Sequence, residues 1–197
     1  MTRFSMLAEL GWPLHSKTII IVGVTLVIAL AIHAIFAVST AKRLKNLPRG
    51  WLAGIVYFVF SLLVVALALT SFGSMISRGV MEQWALLAHI SVAGAFVFVM
   101  LAFAVVWNPA YFSHSGIDRP PTAESKSKPW WLFTASLWWL LFSSIIAAGS
   151  MLVEMLPILD TEGMIEVTEL HRWAGLAVVV SLAVNVYAII VQRAGWR

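Results

Sequence analysis

A chain of 197 residues that is 61% hydrophobic and 11% charged, with a mean hydropathy of +0.92, is too apolar for a soluble domain of this size. It contains no cysteine, which excludes disulfides, thiolate metal sites, iron–sulfur clusters and covalently attached haem of the c type. Its net charge of +4 is sorted by membrane side and gives no reason to expect nucleic acid as a partner.

Five apolar segments are each long enough to cross a hydrocarbon layer, which takes about 20 residues of helix. The first, roughly residues 18–40, carries His33 in its inner third, and the basic stretch of Lys42, Arg43, Lys45 and Arg49 follows it. The second, roughly 51–75, opens with Trp51 and closes on Gly73-Ser74-Met75. The third, roughly 84–107, admits His89 near its start, with Gly94 beyond, and the Asn108-Pro109 step ends it. A polar stretch then carries His114, Arg119, Lys126 and Lys128. The fourth segment, roughly 130–153, again opens on tryptophan and closes on Gly149-Ser150-Met151. An acidic stretch with Glu154, Asp160, Glu162, Glu166 and Glu169 leads into the fifth, roughly 170–192, where His171, Arg172 and Gly175 stand at the entrance. Asn185 follows fourteen residues after that histidine, at the depth of His33. Residues 1–197 therefore read as a single transmembrane domain of an all-α membrane protein.

Nine of the thirteen Lys and Arg fall on one side of these five segments with two acids, leaving four bases and seven acids on the other. The positive-inside rule makes the basic side cytoplasmic. The N-terminus is then outside and the C-terminus inside, in a multi-pass protein of the inner (cytoplasmic) membrane.

Residues 51–107 and 130–192 read as two copies of one hairpin. Each copy rises through a tryptophan-led helix to a Gly-Ser-Met tripeptide, crosses an outer loop and re-enters through a histidine followed by a glycine. Both copies start on the same side, so the repeat axis runs along the membrane normal and equivalent residues share a depth. The expected architecture is a four-helix bundle of two repeated hairpins plus an N-terminal helix. His89 and His171 then face each other near the outer surface.

An ionisable side chain inside a membrane helix marks a functional site by default, because it is costly to keep there. Two imidazoles at one depth on facing helices can supply both axial nitrogens to a planar haem, which makes bis-histidine haem b the leading reading. Gly73, Gly149 and Gly175 would let the macrocycle approach the backbone, and Arg172 would meet its propionates. Plainer readings compete: interfacial histidines bonded to loop carbonyls, small residues that only pack helices, and tryptophans that form the aromatic belt. Further in, His33 and Asn185 together make an inner polar site for a second haem or for the carbonyl of a quinone, and His33 with His114 is the alternative second ligand pair. The plain counterpart is a buried His33 bonded to a neighbouring helix. The acidic stretch before the fifth segment offers a docking face to a basic redox partner, or is simply solvated.

The stretches LAHISVAG and ELHRWAG, with a histidine near a helix end and a glycine beyond it, resemble the small membrane-bound b-type cytochromes. Among these are the cytochrome b subunits of formate dehydrogenases and hydrogenases and the cytochrome b561-like group. The resemblance implies a helical bundle with one or two b haems that exchanges electrons between the quinone pool and an extracytoplasmic redox subunit, such as a cytochrome c or an iron–sulfur protein. Two-haem members place two histidines about fourteen residues apart on one helix; here those partner positions hold Phe103 and Asn185. The expected function is that of an electron-transfer subunit of a respiratory oxidoreductase, not catalytic alone. Two other classes compete: a haem-free membrane anchor or assembly subunit, and a small transporter, which the lack of broken helices and buried charges disfavours.

Overall fold

A computed structural model describes residues 3–38, 51–79, 81, 83–107 and 128–194. Among them the regular structure is entirely helical: α1 (Arg3–Val38), α2 (Trp51–Ala68), α3 (Ser74–Arg78), α4 (Gln83–Val106), α5 (Lys128–Glu154) and α6 (Thr161–Ala194). A π-helical turn, Leu69–Gly73, fuses α2 and α3 into one span. Five helical stretches are long and apolar enough to cross a membrane: Lys17–Ala34, Trp51–Arg78, Gln83–Val106, Trp131–Glu154 and Thr161–Val191. The chain is a multi-pass membrane protein by this measure. A helix satisfies every backbone donor and acceptor internally, which hydrocarbon demands. The hydroxyls in these helices follow the same rule, since Ser61, Ser91, Ser143 and Thr168 each donate to the carbonyl four residues back.

Helix ends depart from the apolar segments for local reasons. The second span runs on to Gly79, whose φ of +76° and N–H bond to the Met75 carbonyl at 3.1 Å make a left-handed C-cap that glycine adopts without strain. The last helix starts at Thr161, where the sequence suggests an entrance near residue 170. Asp160 caps it by accepting the Gly163 N–H at 2.9 Å, and Glu162 lies favourably in the positive first turn. His171 consequently stands well inside α6, in its third turn.

The most extensive pairings are α5 with α6 and α2 with α4; contacts of α2 with α6 and of α4 with α5 join the two pairs, while α1 rests on α6. Small residues are buried on both α5 (Ser136, Ser143, Ser144, Ala147 and Ser150) and α6 (Ala174 and Ala188), which permits the close approach of these two helices. The α2–α4 side is packed with aromatics instead. Phe60 stacks on Phe103 with ring centres 4.3 Å apart, Tyr57 lies 5.1 Å from Trp107, and Trp107 reaches Phe133 of α5 at 6.2 Å. The Trp107 indole donates to the Ala53 carbonyl at 3.0 Å, so its one polar atom is satisfied. These rings fill the end of the bundle that holds the start of α2 and the end of α4. On the outside, Trp51, Trp84 and Trp131 stand exposed at helix starts, and Phe98 and Val105 point outward between them, the pattern of a lipid-facing surface with aromatic ends.

Candidate functional site

At the other end of the bundle, His89 of α4 and His171 of α6 face each other with ring centres 6.5 Å apart and planes at 86°. They line a cavity of about 410 Å³ bounded by all four bundle helices, including Val64 and Leu67 of α2, Val97 of α4, Met151 of α5 and Val178 of α6. Among the described residues, only Ser71 and Arg172 besides the two imidazoles bring polar side chains to its wall. A polar pair enclosed by apolar helices is the form of a small-molecule site.

The hydrogen bonds around each imidazole assign its tautomer. His171 Nδ1 lies 2.9 Å from the Ala147 carbonyl, which can only accept, so Nδ1 carries the proton. Ser150 donates its own hydroxyl to that same carbonyl at 3.0 Å and turns its oxygen lone pairs toward Nδ1 at 3.1 Å. His89 Nδ1 lies 3.0 Å from the Thr70 hydroxyl, whose single proton serves the Ala66 and Leu67 carbonyls at 2.9 and 3.1 Å. The Thr70 oxygen therefore accepts from His89 Nδ1–H. In both rings Nδ1 is the donor, and Nε2 keeps its lone pair. This is how ligating histidines are held in metal sites, the second nitrogen donating to a protein acceptor that fixes the ring and raises its basicity.

Among the described residues no group of three or more His, Cys, Asp or Glu side chains gathers to hold an ion. A bare divalent cation would take about four such donors. A metal that brings its own four equatorial nitrogens needs only two axial ones. A first-row metal bonded to two imidazoles at about 2.0–2.1 Å places the ring centres roughly 6.4 Å apart, against the 6.5 Å found. The residues present fit a haem.

The glycines divide. Gly175, with Gly94 opposite, lines the cavity, and a Cβ added at either would meet nothing within 4 Å. Gly73 and Gly149 do not line it, because the walls of the second and fourth spans are made by residues on other faces, such as Ser71 and Phe72 or Ala148 and Met151. Arg172 reaches the wall but is ion-paired with Glu169 one turn earlier.

The expected inner site at His33 and Asn185 does not form. His33 hydrogen-bonds the Tyr187 hydroxyl, their rings 5.5 Å apart, while Asn185, fully buried, accepts from the Tyr57 hydroxyl at 2.9 Å and donates to Ser136 Oγ at 2.9 Å and the Phe133 carbonyl at 3.2 Å. Asn185 and Tyr187 are two residues apart on α6 and so project about 200° apart. One serves the α2 and α5 side, the other α1. Both amide protons of Asn185 are taken by protein acceptors, which leaves it as an interhelical clasp. His114 lies outside the described residues. Asn185→Leu is expected to lower stability by about 1 kcal/mol, within the roughly 0.6–2 kcal/mol of interhelical hydrogen bonds in membranes, as a fall in the thermal midpoint of the detergent-solubilised protein.

Thr70 was not singled out by motif. Its signal is a near-regular spacing, since the hydroxyl of Thr70 precedes His89 by 19 residues and that of Ser150 precedes His171 by 21. Compared with known proteins, the chain matches no family model, no curated protein and no solved structure.

Proposed function

We propose that His89 and His171 are the two axial ligands of a single haem b, and that the chain is the membrane electron-transfer subunit of a respiratory oxidoreductase. It passes electrons between the quinone pool and an extracytoplasmic redox partner. The observation that supports this reading is the opposed imidazole pair, each ring with Nδ1–H given to a protein acceptor and Nε2 left with its lone pair inside one apolar cavity. When bound, haem supplies a one-electron ferric–ferrous couple. The chain contributes the rest. Thr70, the Ala147 carbonyl and Ser150 orient the imidazoles; the aliphatic wall excludes water; Arg172, tied to Glu169, holds a positive charge at the wall near the acidic start of α6. With the basic side cytoplasmic, that acidic start faces outward and suits a partner with a basic docking face.

The test is the visible spectrum of the purified protein before and after dithionite. One haem per chain with the reduced bands of a six-coordinate b-type centre is expected. A protein purified from haem-replete cells without pigment ends the reading and leaves a haem-free anchor or assembly subunit. Cavity filling gives an independent check. Gly175→Leu places a side chain where the wall now has open space, so haem content should fall severalfold while the helical circular dichroism is kept.

A further inference from the structure

We propose that Thr70 is a positioning residue that sets the electron-donating strength of His89 and so the redox poise of the site, an inference that rests on the haem reading above. Each histidine has a hydroxyl and a main-chain carbonyl of the preceding span at hand, in different proportion. His171 gives its Nδ1 proton to a main-chain carbonyl at 2.9 Å with the Ser150 oxygen alongside at 3.1 Å. His89 gives its proton mainly to a side-chain hydroxyl at 3.0 Å, with the Leu67 carbonyl as a further main-chain partner. That hydroxyl stands in the only π-helical turn among the described residues, Leu69–Gly73, within an otherwise α-helical span.

Thr70 bonds back along its own helix as Ser143 does on α5, donating to the Ala66 and Leu67 carbonyls, which commits its proton and leaves its oxygen only the role of acceptor toward His89. Hydroxyl orientation and imidazole tautomer are thus linked in one chain of contacts. An acceptor on Nδ1–H makes Nε2 more basic, and a more basic axial nitrogen favours the ferric state. Ser150 has less leverage, because the Ala147 carbonyl, at 2.9 Å, holds His171 whether or not the serine is present.

The experiment is a potentiometric titration of the purified, haem-loaded protein. Thr70→Val keeps the shape and removes the acceptor, so the ferric–ferrous equilibrium should move severalfold toward ferrous; a tenfold move is a rise of about 59 mV for one electron. Thr70→Ser should restore the original potential, and Ser150→Ala should shift it less than Thr70→Val. An unchanged potential in Thr70→Val, with the Leu67 carbonyl taking over as acceptor, overturns the proposal, as does an equal shift in Ser150→Ala or a failure of Thr70→Ser to rescue. If Thr70→Val loses haem, or if the wild-type protein proves to hold none, ¹⁵N-histidine NMR of the haem-free protein decides. His89 should be the Nδ1–H tautomer in the wild type and a mixture in Thr70→Val, and an unmixed Nδ1–H ring in the variant overturns the assignment. A colourless wild type with the expected tautomer change separates the failure of the haem reading from that of Thr70.

Discussion

His89→Ala and His171→Ala should each abolish the reduced b-type spectrum, with haem affinity falling by more than about 100-fold. Loss of a group that merely orients a metal ligand already costs 10–100-fold, and here a ligand itself is removed, with no third His, Cys, Asp or Glu grouped with the pair among the described residues. Each truncation also leaves a space of imidazole size in the cavity wall. Added imidazole should therefore restore part of the spectrum in either variant, whereas a folding defect would not respond. The double variant should bind nothing even with imidazole at low concentration, because both axial positions must then be recruited from solution. Retention of unaltered bands in either single variant would move the ligands elsewhere and remove the basis of the functional reading. Haem stoichiometry in the same samples bears on the second-site question: His33 is engaged by Tyr187, and the expected count is one.

The largest expected effect on stability lies at the opposite end of the bundle. Phe103 is fully buried, stacked on Phe60 at 4.3 Å, with Tyr57 at 6.0 Å and Trp107 at 5.8 Å. Phe103→Ala opens a void of roughly 100 Å³, which at about 24 cal/mol per Å³ costs about 2 kcal/mol. The full cost in a soluble core, about 3–5 kcal/mol, includes transfer to water. That contribution shrinks in a bilayer, where separated helices meet apolar lipid. The prediction is a loss of about 2 kcal/mol in detergent unfolding, and wild-type haem content at low temperature because the cavity wall is untouched. An effect below about 0.5 kcal/mol would mean that the aromatic cluster collapses to fill the void, which the rigidity of stacked rings argues against.

Much of this arrangement is legible in the sequence, for reasons that differ by element. Membrane crossing depends on summed hydropathy over some twenty residues, a sum that no tertiary contact alters, and all five apolar segments become helices. The pairing of His89 with His171 is legible because each stands near the start of an apolar segment entered from the same side, and the structure brings their rings to 6.5 Å. The landmarks of the hairpins are poorer guides. The Gly-Ser-Met tripeptides look equivalent, yet Ser150 touches His171 while the hydroxyl at His89 belongs to Thr70, one turn before Ser74. Depth depends on residue number, but facing depends on the direction in which a residue projects around its helix. The same distinction separates Asn185 from His33. Their matching depths suggest a shared site, but the direction of Asn185 around α6 gives it to Tyr57, Ser136 and Phe133.

The sequence by itself determined a cysteine-free, five-span helical membrane protein with two histidines at one depth, because hydropathy and spacing along a helix are properties of the chain alone. Only the tertiary structure decided which nitrogen of each histidine is spoken for, which glycines border the cavity and which polar residues merely clasp helices together. Those outcomes depend on rotation of one helix against another, and that is set by the packing of small residues between α5 and α6 and of aromatics between α2 and α4.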